Sequence, residues 1–102
     1  MADTLEHETF SRNINTTFRI SLGESNTIEA VLVTVGEHMV SPQQERFALV
    51  FRGPVQPLLS QAIYPFEHDE MGEFSLFIVP LRQDDEGTYY EACFNRMRKG
   101  DQ

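Results

Sequence analysis

Apolar and polar residues alternate along most of this chain, and no stretch sustains the three-to-four-residue stripe of an amphipathic helix. Thr16 to Leu22 sets Phe18, Ile20 and Leu22 against Thr17, Arg19 and Ser21, the pattern of a strand with one buried face. Gly23-Glu24-Ser25-Asn26 tolerates tight turning. Thr27 to Val35 follows, with Ile28, Ala30 and Leu32 opposed by Val31, Val33 and Val35, so the two segments predict a hairpin. Apart from Glu29 and Thr34 the second strand is apolar on both faces, which suits a central position or a closed barrel. His38 to Glu45, containing Ser41-Pro42, predicts a loop. Arg46 to Arg52 returns as a strand with Phe47, Leu49 and Phe51 on one face, and Gly53-Pro54 stops it because proline has no N–H for a ladder.

Between Pro54 and Ser60 the pattern is ambiguous, and Val55, Leu58 and Leu59 allow a short helical turn that lids one end of the sheet. Gln61 to His68 resumes extended structure with Ala62, Tyr64 and Phe66 on one side, and Pro65 marks it as an edge or bulged strand. After the turn Asp69-Glu70-Met71-Gly72, Glu73 to Leu81 is the most apolar strand. Its Phe74, Leu76 and Ile78 oppose Phe77, Val79 and Leu81, and it is expected at the centre. The acidic turn Gln83 to Gly87 leads to a last strand, Thr88 to Arg96. Thr4 to Arg12 fits one helical turn anchored by Leu5 and Phe10. The expectation is one all-β, mainly antiparallel domain over residues 1–102, a six-stranded meander closing into a small barrel or a two-layer sandwich, with short helical turns at most near the N-terminus and around residues 55–60. Closure removes exposed edges and covers strands that are apolar on both faces; a partner subunit covering the second face would do the same.

Charge narrows the list of partners. Sixteen acidic residues against 8 Lys plus Arg leave a net charge of −8, which repels a phosphate backbone and an anionic lipid surface. Nucleic acid is therefore not an expected partner, and no apolar run approaches the ~20 residues that span a bilayer. Arg96, Arg98 and Lys99 crowd the end of the sequence, either as a solvated end or as a docking patch for an acidic partner. Met1 to Glu8 has neither a basic nor an apolar leader pattern, so synthesis in a reducing cytoplasm is expected, with later incorporation into an extracellular or phage-like particle left open. Cys93 is the one cysteine, which excludes an intrachain disulfide.

Chemistry finds little to hold. His7, His38 and His68 lie in loop-like or terminal segments outside any nucleophile–base motif, and Cys93 in Tyr89-Tyr90-Glu91-Ala92-Cys93-Phe94 fits a small buried thiol. No catalytic residue is assigned. Glu67-His68-Asp69-Glu70, with Glu73 nearby, and Asp84-Asp85-Glu86-Gly87 lack metal-ligand spacing and fit solvated turns, weak calcium binding being left open. The glycines form no phosphate cradle, so no nucleotide cofactor or metal is expected. An inward Glu91 would need a partner, and Arg52 is the candidate for a structural ion pair. Tyr64, His68 and Glu91 are the candidates to line the opening of a ligand-binding barrel.

Several motifs occur in order: Phe51-Arg52-Gly53-Pro54, then Leu59, Gln61 and Tyr64, then His68 and Gly72, Leu76-Phe77-Ile78-Val79-Pro80, and Tyr90-Glu91-Ala92-Cys93-Phe94-Asn95. Together they resemble a family of small bacterial domains of unknown function, in which valine is common where this chain has Cys93. The resemblance implies a setting beside phage-tail-like collar or fibre proteins, hence an assembly accessory, and no activity or cofactor. With the acidic β domain it supports a non-catalytic structural or protein-interaction module that binds a protein partner or its own copies; the competing reading is a small barrel for a ligand or metal ion.

Overall fold

The computed structural model describes residues 6–23 and 25–97. A short helix, α1 (His7–Arg12), precedes seven strands: β1 (Thr17–Gly23), β2 (Asn26–Val35), β3 (Met39–Val40), β4 (Gln44–Gly53), β5 (Ala62–His68), β6 (Gly72–Asp84) and β7 (Gly87–Met97). Every pairing is antiparallel. Six strands close into a barrel in the order β1-β2-β4-β7-β6-β5, and β5 returns to β1. The expected loop from His38 to Glu45 contains β3, because Met39 and Val40 pair with Arg46 and Glu45 of β4.

Closure does not follow one meander around the wall. β1-β2-β4 and β5-β6-β7 are each a meander, and residues 54–61 cross between β4 and β5, which stand on opposite sides of the barrel. That segment is longer than a tight hairpin needs. Instead of forming the helical turn that Val55, Leu58 and Leu59 allow, it is bent and irregular. It still serves as a lid: Leu59 is buried, and its N–H donates to the hydroxyl of the fully buried Tyr90 at 3.0 Å. The lid therefore depends on the crossover rather than on a helix.

Alternation decides what lies inside. Phe18 and Ile20 of β1, Ala30 and Leu32 of β2, Phe47, Leu49 and Phe51 of β4, Phe66 of β5, Leu76 and Ile78 of β6, and Tyr90 and Ala92 of β7 form one core. Two ladders are short. Between β1 and β5 only Arg19↔Glu67 and Ile20↔Phe66 are paired, and the ladder stops where Ser21 would meet Pro65. β6 and β7 pair from Asp84↔Gly87 to Val79↔Glu91 and part company beyond it. Phe10 of α1 contacts both separated strands, with ring centroids 6.1 Å from Phe74 and 5.5 Å from Phe94. It also meets Phe18 at 6.5 Å and Phe47 at 6.1 Å. A helix of this length has no stability of its own, so α1 is held by the burial of Phe10. Leu5, the other expected anchor, lies outside the described residues.

The outer face of β6 departs from expectation. Phe77 and Leu81 are half exposed rather than covered as they would be in a central strand, because the barrel is a single layer and no described element packs over this outer face. Two stability predictions follow from the stoppered ends. Phe10→Ala should cost ~3–5 kcal/mol in chemical denaturation by opening a cavity under α1, and an unchanged midpoint would place α1 outside the cooperative unit. Tyr90→Phe, which leaves the Leu59 N–H without its acceptor, should cost ~1–2 kcal/mol at an unchanged denaturant slope.

Candidate functional site

The register of the β5–β6 hairpin sorts its residues into two columns. Ala62↔Ile78, Tyr64↔Leu76 and Phe66↔Phe74 turn toward the core, which leaves Ile63↔Phe77, Pro65↔Ser75 and Glu67↔Glu73 on the outer wall. Ile63 is 67% exposed and Phe77 50%, side by side on adjacent strands. Leu58 in the crossover and Leu81 farther along β6 are exposed toward the same end of the barrel. The outer wall thus runs from apolar at the lidded end to acidic at the helix end.

Glu67 and Glu73 face each other across the ladder, a like-charge pairing that costs stability. Arg19 compensates on one side: its Nε lies 3.5 Å from Glu67 and its Nη2 2.9 Å from Asp69. The hydrogen bond that the guanidinium donates to Asp69, supported by the one it donates to Glu67, raises it above its ordinary pKa despite desolvation and keeps it cationic. Among the described residues no cation lies within ion-pair distance of Glu73. Beside this pair, where the β1–β5 ladder is short, an open groove of about 450 Å³ is lined by Arg19, Ser21, Thr27, Pro65 and both glutamates, among others.

Tyr64, His68 and Glu91 do not converge. Tyr64 packs against the core and donates its hydroxyl to the Ser60 carbonyl at 2.8 Å, under the lid. His68 is buried at the opposite end, where its Nδ1 accepts the N–H groups of Glu70 and Met71 at 3.1 and 3.3 Å. With Nδ1 an acceptor, the network assigns the proton to Nε2, which donates to Thr16 Oγ1 at 2.9 Å; Thr16 in turn donates to the Asn13 carbonyl. His68 is thus committed to holding the β5–β6 turn and the entry to β1. Glu91 alternates with the inward Tyr90 and Ala92, so it faces out, level with Val50 and Val79. The condition that would demand a partner for it is absent, and no ion pair joins it to Arg52, which is level with Tyr89.

Cys93 is exposed rather than buried, because the same alternation turns it outward between Ala92 and Phe94. Desolvation, and then the charge and hydrogen bond of Glu91, push its thiol pKa up. The acidic turns use their own side chains. Asp84 accepts the N–H groups of Glu86 and Gly87 at 2.8 and 3.2 Å and pairs with Arg82 at 3.1 Å; the bond from Glu86 comes first in holding its carboxyl below the ordinary range. Among the described residues no group of three or more His, Cys, Asp or Glu side chains is placed to hold a metal ion. No described buried side-chain nitrogen or oxygen lacks a hydrogen-bond partner, and no described helix is long and apolar enough to cross a membrane.

What sequence reasoning missed is Ile63 and the outward direction of Phe77. The signal was present as the second apolar face of Glu73 to Leu81, which was assigned to the interior of a central strand.

Residues 5–94 match the family described as a domain of unknown function, DUF6916. No curated protein and no solved structure matches the chain.

The raised Cys93 pKa has a kinetic consequence, since only the thiolate attacks an alkylating reagent. Iodoacetamide at pH 8 should modify Cys93 more slowly than a free cysteine, and Glu91→Gln, by removing the neighbouring charge, should speed it. A thiol that reacts faster than free cysteine would contradict the assigned electrostatics.

Proposed function

The chain belongs to the DUF6916 family, and from its own geometry we propose that it is a non-catalytic docking module, a barrel that holds a protein partner or another copy of itself against the outer wall of β5 and β6. The observation that carries this reading is the Ile63–Phe77 pair, two large apolar side chains adjacent across a ladder and turned to water. Scattered exposed apolar residues are ordinary on any surface, but here Leu58 and Leu81 are exposed toward the same end. Covering such a cluster contributes ~25 cal/mol for each Å² removed from water.

The reading of a barrel for a small ligand or metal ion has no comparable support. Aromatic and aliphatic side chains occupy the interior, its polar groups are satisfied, and Tyr64, His68 and Glu91 point to three different places. The phage-tail-like setting implied by the motif resemblance is one assembly in which a docking barrel would serve, with synthesis in the cytoplasm preceding incorporation.

Crosslinking and mass spectrometry in the source cell, comparing the native chain with Ile63→Ser/Phe77→Ser, tests the reading. Neighbours crosslinked to the native wall should fall by roughly tenfold or more in the variant, as expected when central anchors are lost, while circular dichroism stays the same. Unchanged crosslinks in the variant, or none to the native chain, would remove the docking function.

A further inference from the structure

Resting on that docking reading, we propose that the partner is a second copy of this chain, engaged head to tail: Met97, Arg98 and Lys99 of one copy dock along the Phe77–Glu73 strip of the next. The strip has two chemical halves, an apolar pair at Ile63 and Phe77 and an acidic pair at Glu67 and Glu73. A matching occupant carries an apolar side chain followed by cations. This strongly acidic chain holds one such run, Arg96-Met97-Arg98-Lys99, with three of its 8 basic residues, and Met97 is 76% exposed at the end of β7.

Spacing is compatible. Phe77 and Glu73 are ~13 Å apart along β6, and residues 97 and 99 are ~7 Å apart when extended, a difference that long Met and Lys side chains cover. Glu73 has no cation within ion-pair distance among the described residues, and Glu67 holds only the longer of Arg19's two contacts.

The course of β7 up to Met97 favours a strip on another copy. After Glu91 it leaves β6, continues along β4 and brings Met97 level with Gln44. β4 stands across the barrel from β5, and Phe10 contacts the separated ends of β6 and β7. Met97 therefore stands on the side of the barrel away from the strip. Because strip and run are different surfaces, every copy offers one of each; two copies that exchange runs close as a two-fold dimer, and a contact that does not close in this way propagates into a ring or an open chain. Electrostatics makes it conditional: opposite charges meet locally while the net charge of −8 keeps the remainder of each copy apart.

Sedimentation velocity over a range of concentrations reads the proposal, using the full chain, Glu67→Lys/Glu73→Lys, Arg98→Glu/Lys99→Glu, and all four changes together, each checked for native circular dichroism. The native chain should associate as concentration rises. Either double variant should weaken association by roughly tenfold or more, and the fourfold variant, whose charges are exchanged between strip and run, should recover it. A native chain that stays monomeric, association indifferent to both double variants, or a fourfold variant that stays apart each overturns the proposal. If self-association fails while crosslinks in the cell still depend on Ile63 and Phe77, the docking reading stands with a different partner; if those crosslinks are also indifferent, both fall.

Discussion

Phe10 occupies the place where the barrel wall is incomplete. Below Val79↔Glu91 the ladder between β6 and β7 ends, and a gap there would expose Phe74, Phe94 and the rings behind them. One side chain from a six-residue helix closes it, fully buried among four phenylalanines. The opposite end is closed by Leu59, whose N–H is tied to Tyr90. With both ends stoppered, aromatic and aliphatic side chains fill the core, and the exposed apolar residues of β5 and β6 stand on the outer wall.

Tight closure also governs where small residues stand. At the top of the β4–β7 ladder, Gly87 lies so close to the Gly53 carbonyl and the Arg52 side chain that a Cβ would collide with backbone. Asp84 accepts two N–H groups of the same turn, which holds β7 against β6 from its first residues. His68 does the equivalent at the other end through Nδ1. Polar side chains that look like candidate ligands in the sequence are therefore engaged in ending strands. Much of their hydrogen-bonding capacity goes to turn backbone, the remainder to Thr16 for His68 and to Arg82 for Asp84.

Period-two alternation made the six barrel strands legible, because a strand with one buried face writes that face into every second residue. The hairpins at Gly23 and Gly87 were legible for the same reason, through residues that suit tight turns. Strand order was not, since nothing local in Pro54 to Gln61 says that β5 pairs with β1 rather than β4. β3 was missed because a two-residue strand has no period. Two directions were misjudged on one assumption, that apolar means inward: Phe77 and Cys93 sit among inward neighbours but alternate outward. At the candidate site, Glu67, His68 and Glu73 were visible as a group, yet only the register shows two glutamates facing out together and the histidine facing in.

Charge gives the outer wall its direction. A chain that needed only solubility could scatter its carboxylates, yet β5 and β6 set Glu67 directly opposite Glu73, where each raises the cost of the other. Arg19 relieves part of that cost, but its shorter contact is to Asp69, so the pair keeps negative charge that a cation from outside can neutralise. Repulsion that folding leaves in place would be recovered on binding such a cation, and under the proposed docking the gain would add to the burial of Ile63 and Phe77 a few residues away. The apolar half of the wall supplies attraction without selectivity, whereas the acidic half rejects acidic surfaces, including most of another copy of this chain. Under the proposed docking, a basic, partly apolar segment would satisfy both halves, and the same electrostatics that opposes general self-adhesion would select one orientation of contact.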